Sequence, residues 1–141
     1  MKVTGEQRLE YFQFVAHHLG GVFEPSPYSK VIANLTNDGQ IAAAVVYDIT
    51  RCDAQMSVAS DGSRRWITKQ FLRDVFLYPF VQLGLQRVTV MARESNHAAL
   101  AMNLRLGFVP EGRLRKYFGD EDGILLGMLR SECRHLGENN G

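Results

Sequence analysis

One stretch constrains this chain's fold more than any other: Ile41–Ile49, which reads IAAAVVYDI. Its first seven residues, Ile41 to Tyr47, carry no charge, and the run to Ile49 is rich in Val and Ile. A strand that is apolar at both alternating sets of positions has no face to give to water. The pattern therefore predicts a central strand buried on both sides. Asn37-Asp38-Gly39 stands just before it, and Asp-Gly favours the positive φ angles of a hairpin turn. Val31–Thr36, short and β-branched, is the strand on the other side of that turn. Thr50–Asp53 is polar and turns the chain again, and Ala54–Ala59 reads as a third strand. The fold is thus built on a sheet that begins with consecutive hairpins.

The remaining elements dress that sheet. Thr4 and Gln7 have the spacing of a capping box, and Leu9, Phe12 and Ala16 recur at helical spacing until Gly20-Gly21 ends the run. Gly21–Ser29 holds Pro25 and Pro27 and reads as a loop. Ser60-Asp61-Gly62-Ser63 leads into the longest helix, where Trp66, Ile67, Phe71, Val75 and Phe76 are spaced to face a core. Pro79 should kink or end that helix, because it removes a hydrogen bond and clashes with the preceding turn. The pattern resumes at Phe80 and stops near Gly84. Arg87–Ala92 alternates as a strand. Asn96 caps a helix running to Leu106, and Gly107 stops it. Phe108–Phe118 is a strand, Gly119–Gly123 a polar turn, and Ile124–Leu129 a final strand. Residues 135–141 form a polar tail expected to fray, which leaves 1–134 as a single domain. Hairpins around one strand-helix-strand unit predict an α+β fold. It is a mixed, mostly antiparallel sheet of about six strands flanked by helices.

Composition narrows the function classes. A chain of 141 residues suits one domain, and at that length a globular chain buries roughly two-thirds of its unfolded surface. Sixteen Lys and Arg against fifteen Asp and Glu leave a net charge of +1, so nothing overall calls for nucleic acid or an anionic membrane. Met1–Glu10 lacks the pattern of a signal peptide, and the longest apolar runs are too short to span a bilayer. Cys52 and Cys133 lie far apart, without metal-ligand spacing. The expectation is a cytoplasmic protein that binds no metal. The near-zero total hides local structure. Between Ser60 and Asp74, four cations (Arg64, Arg65, Lys69, Arg73) face two carboxylates (Asp61, Asp74).

Asn96–Arg115 reads NHAALAMNLRLGFVPEGRLR. An Asn that opens a helix ending in Leu-Gly-Phe, followed by Glu-Gly-x-Leu-Arg, resembles the motif of the GCN5-related N-acetyltransferases, the GNAT superfamily. It is most similar to the branch with ribosomal-protein N-terminal and spermidine acetyltransferases. The resemblance implies acetyl-CoA as co-substrate and a primary amine acceptor, either a small molecule or a protein or peptide amine. It implies a third strand that splays from its neighbour, so that Val58, Ala59 and Ser60 meet the pantetheine arm. It places the pyrophosphate on the loop and helix start after that strand, at Gly62, Ser63, Arg64, Arg65, Trp66 and Thr68, and a cofactor-contacting Asn at Asn96. Trp66 and Thr68 stand where relatives carry small residues.

The chemistry needs few protein groups: a base for the ammonium, a donor for the oxyanion and help for the leaving thiolate. Many relatives carry a Tyr four residues before the Gly of Leu-Gly-Phe; here that position is Asn103, which can hydrogen-bond the sulfur or hold a water. Asp48 and Ser57 are the candidates on the base side, with Asp48 expected near the middle of the third strand. Each residue also has a plainer reading. Arg64-Arg65 also reads as a solvated helix start, Trp66 as core, Asn96 as a simple cap, Asn103 as a surface residue and Asp48 as a strand-end residue. His17-His18 reads as the dipole-favoured end of the first helix. The alternative function is a non-catalytic binding module of the same fold, either CoA-sensing or associated with a partner or nucleic acid. The short front end, Met1–Tyr28, raises a homodimer as a way to complete the acceptor groove.

Overall fold

A computed structural model describes residues 1–19 and 24–137. A seven-stranded sheet runs in the order β1-β2-β3-β4-β5-β7-β6. The strands are β1 (Lys2–Thr4), β2 (Lys30–Leu35), β3 (Ile41–Ile49), β4 (Asp53–Ser60), β5 (Arg87–Arg93), β6 (Val109–Leu114) and β7 (Gly123–Leu129). Every neighbouring pair is antiparallel except β4–β5, which is joined through the intervening helix. The helices are α1 (Leu9–His18), α2 (Lys69–Leu77) and α3 (His97–Leu106). The mixed, mostly antiparallel α+β architecture expected from the sequence is present. Its seventh strand, β1, is a three-residue edge beyond β2.

β3 is central, and Ala42 through Tyr47 are buried on both faces. On one face Ala44 and Val46 meet Tyr11 and Val15 of α1. On the other, Ala43, Val45 and Tyr47 pack with Trp66, Phe71, Val75, Phe76 and Phe108, and the α3 residues Leu100, Met102 and Leu106 lie against that cluster. The buried Tyr47 hydroxyl donates to the Val75 carbonyl at 2.7 Å and anchors α2.

Several local expectations need correction. Thr4 caps no helix. It belongs to β1, and α1 starts at Leu9 after Arg8, with no side-chain cap. Gln7 instead uses its amide as a strand would, donating to the Val31 carbonyl and accepting from the Val31 N–H, both at 2.9 Å. The buried stripe of α1 is Tyr11 and Val15; Leu9 is 70% exposed. α2 starts at Lys69 rather than near Trp66, because Thr68 is extended and its hydroxyl accepts from the Phe71 N–H. At Pro79 the helix does widen: α2 ends at Leu77, and the Leu83 N–H donates to the carbonyl of Tyr78, five residues back. β6 stops at Leu114, and Leu114–Gly119 is turn-bonded. The chain also does not leave the core at Arg134. His135 hydrogen-bonds the Leu106 carbonyl at 2.7 Å and stacks on Phe76, and Leu136 is buried. The Gly20-Gly21 stop, the first part of the following loop and residues 138–141 of the tail lie outside the described residues.

Candidate active site

The site begins with a failure of pairing. β4 and β5 are in register only from Asp53–Met56 against Arg87–Val90. Beyond Met56, β4 follows β3 to Ser60, while beyond Val90, β5 follows β7 to Arg93. Each strand keeps one partner and loses the other. The sheet opens into a cleft of about 340 Å³. Backbone groups of Ser57–Ser60 that would have met β5 are left facing it.

Two sets of side chains line the cleft. From the α2/α3 face come Val58, Val90, Ala92, Asn96, Ala99, Met102 and Asn103. From the α1 face come His18, Leu19, Gln55, Ser57, Met91 and Arg93, joined by Tyr117 and Phe118 of the β6–β7 turn. The Leu-Gly-Phe motif builds one wall. Gly107 closes α3 at φ +111, a conformation that side chains resist, and the N–H groups of Gly107 and Phe108 converge on the Asn103 carbonyl. Asn103 itself is 7% exposed, and its side-chain amide makes no hydrogen bond among the described residues. Asn103 lines the cleft, so its amide is open to hydrogen-bond a ligand there. Asn96 caps α3 by accepting from the Ala99 N–H at 3.1 Å.

Past the open end of β4 the chain makes a tight loop. Gly62 has φ +89, its N–H donates to the Ser60 hydroxyl, and the Ser63 N–H and hydroxyl both donate to Asp61 Oδ1. Arg65 closes on Asp61 Oδ2 at 2.7 Å. These hydrogen bonds, Ser63's first and then Arg65's, hold the Asp61 carboxyl down to about 2. Among the described residues Arg64 and Lys69 make no ion pair, and the first turn of α2 presents N–H groups with no helical acceptor. The loop is held from below by buried Asn34, whose amide donates to the Trp66 carbonyl at 3.0 Å.

The structure thus brings Ser57, Val58, Asn96 and Asn103 to one cleft, with Ala59 and Ser60 continuing its open edge. Gly62, Ser63, Arg64 and Arg65 form the adjoining loop. Three residues go elsewhere. Trp66 is 4% exposed in the core, and Thr68 is the α2 cap. Asp48 pairs with Gln55, nearer the start of β4 than its middle, and accepts from the Ser29 hydroxyl at 2.5 Å without lining the cleft. Sequence reasoning did not reach His18, Gln55, Tyr117 or Phe118. A phenol is therefore present in the cleft despite the Asn at 103. For His18 the signal existed, since Tyr11, Val15 and His18 are spaced to share the sheet-facing side of α1. Among the described residues no cluster suited to a metal ion occurs, and no helix is long and apolar enough to cross a membrane.

No protein-family model matches the chain, and no curated protein matches its sequence. Solved structures do. The ribosomal-protein-S5-alanine acetyltransferase of Vibrio fischeri aligns with a TM-score of 0.72 at 17% identity, over 94% of each chain. A point mutant of the spermidine N-acetyltransferase SpeG of Vibrio cholerae aligns with a TM-score of 0.73 at 13% identity, over 99% of each chain. A GNAT-family acetyltransferase of Streptococcus pneumoniae aligns with a TM-score of 0.68 at 15% identity, over 91% of this chain and 98% of that one.

Proposed function

With the fold of the GNAT acetyltransferases as its premise, we propose that this protein moves an acetyl group from acetyl-CoA to a primary amine by direct attack, with both substrates bound in the cleft. The observation that carries this reading is the opened second half of β4 lining one cleft with Asn103, whose amide has no hydrogen-bond partner among the described residues. A pantetheine arm has amide groups at the spacing of a short peptide. Laid along Ser57–Ser60 it supplies the partner that β5 withholds, as an added strand does. Arg64, Lys69 and the first turn of α2 then face the pyrophosphate, where a helix terminus favours an anion. Trp66 and Thr68 support this loop from within.

The donor supplies an activated thioester. A backbone N–H on the open edge near Val58 is suited to bind the oxyanion as the amine attacks. The thiol that leaves has an ordinary pKa of about 8.5, so its thiolate departs readily, and the Asn103 amide can donate to the sulfur. Ser57 can hold an ordered water on the acceptor side.

The first test is calorimetry with acetyl-CoA, followed by release of CoA thiol with an amine panel of alanine-leading peptides, spermidine and free lysine. Saturable donor binding and turnover of at least one amine are expected. No binding at millimolar acetyl-CoA overturns the reading. A second reading is a non-catalytic acyl-CoA-binding module, favoured by Asn in place of Tyr at position 103 and by Asp61 occupying Arg65. Donor binding without transfer to any amine of the panel would establish it.

A further inference from the structure

The cleft holds a residue that can act as a base. His18 ends α1 and lines the cleft beside Gln55 and Ser57. Its Nδ1 lies 2.8 Å from the Phe14 carbonyl oxygen, and its ring sits 4.1 Å from the Phe14 ring. A carbonyl oxygen only accepts, so Nδ1 must carry the hydrogen. In the neutral ring the lone pair is then on Nε2, which makes no hydrogen bond among the described residues. A ring fixed by one nitrogen and open at the other is a common arrangement for an imidazole that moves protons.

We propose that His18 is the general base of the acetyl transfer, taking a proton from the acceptor ammonium at Nε2. This rests on the acyltransferase reading given above. An alkylammonium with a pKa of about 10.4 is only about 0.04% deprotonated at pH 7, so a base has a large effect to supply. The ammonium gives one proton to Nε2, and the neutral nitrogen attacks the thioester carbonyl to form the new C–N bond. The C–S bond breaks, and its electron pair leaves on the thiolate. The second proton lost by nitrogen ends on sulfur, and the first passes from the His18 imidazolium to solvent. The groups that set this site's charge are few. His17 meets the His18 ring edge-on, Arg93 comes from β5 and Tyr117 from the β6–β7 turn, while β4 offers only neutral Gln55 and Ser57. Asp48 of β3 is held by the Ser29 hydroxyl, and Arg93 is paired with Asp120 and Glu121.

The test uses the full chain and the best amine of the panel. Wild-type acetyl-CoA binding and turnover are measured first, and failure there overturns the acyltransferase reading itself. For His18→Gln, whose side chain can still donate to the Phe14 carbonyl but cannot accept a proton, the acetyl-CoA Kd should stay within twofold. Its kcat/KM should fall about 100-fold or more at pH 7. The deficit should shrink as pH rises toward the pKa of the amine, because the free amine then arrives already deprotonated. Added imidazole should restore part of the rate in His18→Ala. A deficit equal at every pH with no imidazole rescue, or no deficit at all, overturns the proposal while leaving the acyltransferase reading standing.

Discussion

The two halves of β4 make an instructive comparison. From Asp53 to Met56 the strand is paired on both sides, and Ala54 and Met56 are buried in the core. From Ser57 to Ser60 the same strand keeps β3 and loses β5. Composition alone does not cause the difference, since each half carries two polar and two apolar residues. Topology does. β5 is the one strand reached through a parallel crossover, and its far side is committed to β7 over its whole length, Arg87–Arg93. A strand pair that shares four residues and then follows different neighbours must open, and the opening falls where α3 delivers Asn103 and α1 delivers His18. The closed half supplies stability and the open half supplies the site.

That contrast can be broken in order of expected effect. Ala54→Phe puts a ring at a position with no exposed surface in the closed half, and should destabilise the fold by about 3 kcal/mol, read as a lower urea midpoint. Ala99→Trp fills the open half from a partly exposed helix position. It should weaken acetyl-CoA binding about 100-fold, equivalent to about 2.7 kcal/mol, while the urea midpoint barely moves. Asn103→Leu should split the two properties. Replacing a cleft-lining amide by an apolar side chain of similar size should leave the urea midpoint nearly unchanged, while kcat/KM falls about tenfold. Asp61→Asn keeps the acceptor for the Ser63 N–H and releases Arg65. Acetyl-CoA should then bind a few-fold tighter, and a phosphate-free pantetheine fragment should be unaffected. The smallest effect is in acid. The folded Asp61 carboxyl lies near 2 against an ordinary 3.8, so its contribution to stability is present above about pH 4 and lost as pH falls through about 2. That component should be missing from the acid unfolding curve of Asp61→Asn.

Much of this was legible before the structure. The both-sided apolar run at Ile41–Tyr47 specified a central strand, and Asn96 with Gly107 specified both ends of α3. What stayed hidden depended on contacts between distant segments. Nothing local in Thr4 and Gln7 says that the Gln7 amide will pair with Val31 instead of capping a helix. Arg65 reads as a phosphate ligand until Asp61, four residues earlier, is seen to hold it. Of the residues lining the cleft, motif and register name Ser57, Val58, Asn96 and Asn103. His18 stays hidden because the residues that recur at helical spacing are Leu9, Phe12 and Ala16, whereas Tyr11 and Val15 are the buried ones. Tyr117 was assigned to a longer strand, and only the turn after Leu114 brings it to the cleft.

The central claim is that acetyl-CoA completes the open half of β4. Residue-resolved amide exchange, with and without saturating acetyl-CoA, tests it most directly. Slow exchange is expected at Asp53–Met56 in both states, with faster exchange at the β5-facing amides of Ser57–Ser60 that slows at least tenfold on binding. Saturation without added protection at Ser57–Ser60, or equal protection of both halves in the free protein, would contradict it.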